Sequence, residues 1–204
     1  MKKTLLITSL IILTAKLTFA QDIAVGIKAG VNINSASTSI PVVESGKETL
    51  ALFHGGAVVD VAVNQRFSIQ PQILYSRKGV KFNAGDHKHT IKLNSLDLPL
   101  LAVFKAGKGV FFGAGPNFGF HLSGTNVSTG ALNETHKYKF DGSTGDFKRF
   151  DFGVNVMAGY EHKSGVFTSV NYLKGISKGL IEFPNTDWSH NVLSFSVGYM
   201  FRRK

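Results

Sequence analysis

The sequence predicts an all-β fold, an eight-stranded antiparallel up-and-down barrel that crosses a membrane, and three observations carry that prediction. Hydrophobicity alternates with period two through residues 21–204, with no convincing helical period beside it. The connections between the alternating segments are long and short in turn. One face of each segment is apolar, while the opposite face is dominated by Gly, Ser and Asn instead of long charged side chains.

Residues 1–20, MKKTLLITSLIILTAKLTFA, begin with Lys2 and Lys3 and run apolar from Leu5 to Ala15. Small residues Thr18 and Ala20 then flank Phe19, which completes the pattern of a secretory signal peptide. The expected organisation is therefore a cleaved signal over 1–20 and one barrel domain over 21–204. An amino-terminal anchor helix would need about 20 apolar residues, and Lys16 interrupts a run that is already shorter. Removing Lys2, Lys3 and Lys16 lowers the formal net charge from +10 to +7. An exported basic chain points away from nucleic acid and toward anionic lipid, sugar phosphate or well-solvated loops. With no cysteine there is no disulfide framework, no thiolate chemistry and no lipobox.

Eight strands follow in order. Val25, Ile27, Val31 and Ile33 mark the first, at 23–33; Phe53, Ala57, Val59 and Val61 mark the second, at 51–63. Phe67, Ile69, Ile73 and Tyr75 define 67–77, and Leu96, Leu98, Leu100 and Phe104 define 93–104. Val110, Phe112, Phe118, Phe120 and Leu122 define 109–122; Phe150, Phe152, Val154, Val156 and Tyr160 define 148–161. Val166, Val170 and Tyr172 mark 166–174, and Leu193, Phe195, Val197, Tyr199 and Phe201 mark 191–202. No charge interrupts these faces. Aromatics near strand ends (Phe67, Phe104, Tyr160, Tyr172, Trp188 and Phe201) suit interfacial girdles.

Short connections fall at 64–66, 105–108 and 162–165, and long polar ones at 34–50, 78–92, 123–147 and 175–190. An up-and-down meander places all four long loops at one end and the tight turns with both termini at the other. Outer-membrane barrels have that sorting, with short periplasmic turns and long extracellular loops. A soluble sandwich has no reason to sort its loops. A lipocalin-like barrel would put the apolar face inside, whereas small polar residues suit the narrow interior of eight staves.

Lys28, His54, Asp60, Asp97, Asn117, His121, Asp151 and Glu161 fall on the inward parity and form the candidate site, a polar lumen network. Buried charges must pair; Lys28 is expected to reach Asp60, and Asp97 to lie opposite Asn117. The rival reading of these residues is an ion, proton or metal site. His87 and His89 alternate on one face of an extended segment, but two imidazoles are too few for a transition metal. No phosphate cradle, zincin motif or Gly-x-Ser-x-Gly elbow occurs. No catalytic residue, cofactor or metal is therefore assigned.

Residues 93–101, LNSLDLPLL, resemble the apolar-acid-apolar-Pro-Leu-Leu strand of the small Bacteroidota-type outer-membrane β-barrel family, often labelled porin family. FFGAGPNFGF at 111–120 is similar to the Ala-Gly-Pro strand that follows there, and LSFSVGYMF at 193–201 to the closing strand. The resemblance implies an eight-stranded barrel inserted by the outer-membrane assembly machinery, with no shared catalytic residues. Arg202, Arg203 and Lys204 after Phe201 depart from the aromatic terminus common among such barrels. The expectation is a non-enzymatic outer-membrane protein with a filled lumen, both mature termini periplasmic, and a structural, adhesive or binding role for its external loops. Its expected surroundings are outer-membrane lipids and lipopolysaccharide, with the loop partner unidentified; Lys137, Lys139, Lys148 and Arg149 make the third long loop basic, which serves solvation and, as the alternative, contact with lipopolysaccharide phosphates. A small porin is the alternative. A lipid A-modifying enzyme is the third reading, for which the lipid face offers only Thr168 as a nucleophile type.

Overall fold

The structure, a computed structural model, describes residues 22–38, 47–84, 87–130, 133–140, 148–177 and 188–201. Eight strands close a ring in which every neighbour is antiparallel: β1 (Ile23–Thr38), β3 (Leu50–Ala62), β4 (Phe67–Ala84), β5 (His87–Gly107), β6 (Val110–Thr129), β8 (Phe150–Glu161), β9 (Val166–Gly175) and β10 (Trp188–Phe201). β10 returns to β1 and shuts the cylinder. Two short strands lie outside the ring: β2 (Lys47–Glu48) pairs with β4, and β7 (Glu134–Lys137) with β6. The predicted signal at 1–20, the basic tail and the Trp188 side chain lie outside the described residues.

The register gives the barrel its dimensions. Perpendicular to the strands, Ile23 leads through Val61, Ile69, Ala102, Ala114, Val156, Tyr172 and Leu193 back to β1 at Ile33, a shear of ten residues. With a rise of ~3.3 Å per residue and a strand spacing of ~4.8 Å, that shear tilts eight strands by about 41° and sets a backbone radius of about 8 Å. All nine residues on the path belong to the apolar parity. Val197 on that face is 56 % exposed while its neighbour Ser196 is 7 % exposed, so alternation on β10 is apolar outward and polar inward. Ring pairs such as Phe67–Phe104, with centroids 5.2 Å apart, and Tyr199–Phe201, at 5.0 Å, sit on the outside near the tight-turn end.

Local chemistry explains the tight turns. The Asn64 carboxamide oxygen accepts the backbone N–H groups of Arg66 and Phe67, both at 2.9 Å, and closes the β3–β4 turn. Lys108 and Gly109 both have positive φ, 52° and 88°, the requirement of a two-residue hairpin whose twist matches its strands. The reversal therefore lies at Lys108–Gly109, beside a register shift between Lys105 and Gly107, and not across 105–108. This moves the β5–β6 register by two: Asp97 faces Gly119, and Asn117 faces Pro99.

The larger departure is at the other end. Residues 78–92 are not a loop: β4 and β5 stay paired to Ala84 and His87, and β6 runs on to Thr129. The polar composition that suggested loops belongs to strands standing clear of the apolar belt. A ten-residue strand at this tilt rises about 25 Å, the height of such a belt. The 21 residues of β5 reach roughly twice that height. Beyond the belt the strands stay paired, with Val80, Ile91 and Leu93 still buried inside, but their outward residues meet solvent instead of lipid, so the alternation of hydrophobicity fades where the strand does not.

Candidate functional site

The middle of the lumen is occupied by an ionic and polar layer. The side chain of Lys78, on β4, is fully buried, and its ammonium donates to Asp97 Oδ1 at 2.8 Å and lies 3.5 Å from Asp151 Oδ2. Ser177 donates a short hydrogen bond to Asp151 and accepts the Phe152 N–H at 3.0 Å. Beside this triad the Ser95 hydroxyl and His121 Nδ1 are 2.7 Å apart, and the His121 and His190 rings meet edge to face. Asn32 donates to the Ser76 hydroxyl at 3.0 Å and accepts from Ser194 at 2.7 Å, while His54 Nε2 lies 2.9 Å from the Ser196 hydroxyl. Polar groups taken out of water need such partners, and charges need them most. The space left among these side chains is about 30 Å³, room for one or two waters.

An apolar layer lies on each side. Toward the long strands, Val80, Ile91, Leu93 and Phe140 are buried together, with Phe82 and Tyr138 against them. Phe140 reaches this cap from the β7–β8 connection; Arg149 holds it there, donating to its carbonyl at 3.2 Å and covering its ring and that of Phe120. Toward the tight turns, Val58, Leu101, Val103, Phe111, Met157, Phe167 and Met200 form a second cluster. Six of these line a vestibule of about 670 Å³ that reaches the 63–65 and 162–163 turns. The inner face is thus not uniformly Gly, Ser and Asn. Leu101, Val103, Phe111 and Phe167 share the inward parity and make that half of the lumen apolar.

The structure places the candidate residues in three groups. Asp97, His121 and Asp151 meet around Lys78, with Asn117 buried in the same layer. His54 and Lys28 border the layer, and Asp60 and Glu161 line the vestibule. The expected Lys28–Asp60 pair is not formed, because Lys105 from β5 reaches Asp60 Oδ2 at 2.7 Å. Lys78, Lys105, Ser95 and His190 were missed. Lys78 continues the inward parity of Ser68, Gln70, Gln72 and Ser76 on β4, a signal obscured by ending that strand at 77.

Outside the belt, Glu48 of β2 receives Lys81 at 2.9 Å and Asn83 at 3.2 Å, with Lys88 3.6 Å away. The hydrogen bonds from Lys81 and Asn83 hold the Glu48 carboxyl below its ordinary value, and the one to Glu48 raises Lys81. His89 stacks on Phe82 with centroids 5.0 Å apart, so it serves the hairpin. Among the described residues no three His, Cys, Asp or Glu side chains gather as metal ligands.

Residues 19–179 match a family model described as outer membrane protein beta-barrel domain. Neisserial surface protein A has a similar structure at 16 % identity, with a TM-score of 0.56 over 87 % of this chain and 97 % of that one. Ail, the attachment invasion locus protein of Yersinia pestis, aligns at 9 % identity, with a TM-score of 0.54 over 88 % of this chain and 99 % of its own. The outer membrane protein OprG of Pseudomonas aeruginosa aligns at 10 % identity, with a TM-score of 0.52 and coverage of 90 % and 97 %. At such identities the likeness concerns the fold alone. No curated protein matches the sequence.

Proposed function

Because the chain belongs to the outer membrane protein beta-barrel domain family, we propose that it is a non-conducting, non-enzymatic barrel that presents the β4–β5–β6 extension outside the cell as a binding or adhesive platform. The observation that carries the reading is the Lys78–Asp97–Asp151 layer, whose side chains leave about 30 Å³ where a pore would need a continuous column of water. The Val80–Leu93–Phe140 cap closes the same path a second time. At the level of this layer and cap the eight-stranded cylinder has room for little beyond its own side chains, and the larger space lies in the vestibule on the tight-turn side.

The Ser95–His121 contact has the reach of a nucleophile and its base. Ser95 is fully buried beneath the cap, so a structural role suits it better. Among the described residues at this end, Lys81, Lys88, Lys92, Lys137, Lys139 and Arg149 outnumber Glu48 and Glu134. Their excess favours an anionic partner, with lipopolysaccharide phosphates the nearest source. Single-channel recording of the refolded protein tests the sealed lumen: silence is expected, and steady sizeable conductance would defeat the reading in favour of a small porin. Reversing Lys88 and Lys92 to Glu should weaken retention on immobilised lipopolysaccharide and flatten its salt dependence.

A further inference from the structure

We propose that the vestibule at the tight-turn end of the lumen binds a small monocarboxylate with an apolar, ring-sized body, its carboxylate held by the Lys28 ammonium. Lys28 stands at the inner end of the vestibule and borders the smaller space beyond it. It is only 5 % exposed, and among the described residues it makes no hydrogen bond or ion pair. A desolvated ammonium without a counter-charge is costly to keep. The nearest acid on the adjoining strand is already engaged, since Asp60 is held by Lys105 at 2.7 Å. The cation is therefore available to a ligand that enters from the turns.

The walls define the rest of the ligand. Phe111, Phe167, Met157, Met200, Val58 and Val103 offer two rings and two thioethers, which suit an aromatic body through edge and sulfur contacts. The volume of about 670 Å³ lies within the range of small-molecule sites, about 300–1,000 Å³. The charge is limited to one. Lys28 is a point charge without the fork that grips phosphate, and Lys105 on the same walls is already engaged by Asp60, so the inner end offers one cation for one carboxylate. A neutral analogue would leave Lys28 unanswered, and an amine would repel it.

The proposal shares with the closed-barrel reading only the sealed middle layer. Conductance tests that layer, and a titration tests the vestibule, so either can fail alone. The probe is 3-phenylpropionate, titrated by ligand-observed NMR into the mature barrel in lipid nanodiscs, with empty nanodiscs as the partitioning control. Expected is saturable one-site binding that Lys28→Met weakens by about tenfold or more, as loss of a charge-assisted contact does. Expected too is no saturable binding of 3-phenylpropanol or 3-phenylpropylamine. Val103→Trp, which fills the vestibule and leaves Lys28 in place, should also abolish binding, with heat-modifiable gel migration reporting that both variants fold. Partitioning without saturation, equal binding of the alcohol, or an affinity unchanged by Lys28→Met in folded protein would overturn the proposal.

Discussion

Replacing Lys78 by Met removes the one lysine or arginine that, among the described residues, Asp97 and Asp151 share, and the structure allows the consequence to be sized. At an effective dielectric constant of about 20, separations of 2.8 and 3.5 Å correspond to attractions of about 6 and about 5 kcal/mol. Repulsion between the two acids and the desolvation of three charges offset most of this. What the substitution exposes is the remaining imbalance, two buried carboxylates without a counter-charge, and breaking a buried ion pair from one side costs about 3–5 kcal/mol. That is roughly two to four orders of magnitude in the folding equilibrium. The assay is urea unfolding of protein refolded into lipid vesicles, followed by heat-modifiable migration. Neutralising the acids as well, in Lys78→Met/Asp97→Asn/Asp151→Asn, should recover most of the loss, since no unpaired charge then remains. A single variant that loses less than about 1 kcal/mol, the value of a surface pair, would refute a desolvated triad. So would a triple variant no more stable than the single.

Val197→Arg places a charge mid-strand on the exposed apolar face and should cost about 2–4 kcal/mol in the same assay, whereas Ser196→Arg acts on lumen packing. Arg149→Ala should release Phe140 from the cap, read as faster chymotryptic cleavage after that residue with the barrel still folded. The Glu48 carboxyl is depressed on folding, so its contribution to the β2–β4 ribbon is complete above the ordinary carboxylate value of 4.5 and is lost as pH falls through the depressed one. Amide protection near Lys81, taken relative to the intrinsic exchange rate, should fall over that interval in the wild type, and Glu48→Gln should abolish that fall.

Much of the wall was legible because a spanning strand has a strict period. Leu193, Phe195, Val197, Tyr199 and Phe201 read as one face from their spacing alone, and the structure puts all five outside. The site was less legible. Asp97, His121 and Asp151 were recognisable as inward, but the cation between them stood one residue past a strand end drawn where hydrophobicity fades. Inward Val103 and Phe111 escaped notice because an apolar residue on the inner parity breaks the contrast that alternation depends on.

By itself the sequence determined the number of strands in the ring, the positions of the β3–β4 and β8–β9 turns, and which parity meets lipid. These follow from local alternation and turn chemistry, which need no knowledge of neighbours. The tertiary structure decided the rest. The chain reversal at Lys108–Gly109, two positions from the expected register, sets Asp97 against Gly119 and not Asn117, and the ten-residue shear brings Lys78, Asp97 and Asp151, from three different strands, to one level. Which acid answers which lysine depends on that stagger. It gave Asp60 to Lys105 and left Lys28 facing the vestibule, because closing a cylinder fixes side-chain height by the sum of all its registers.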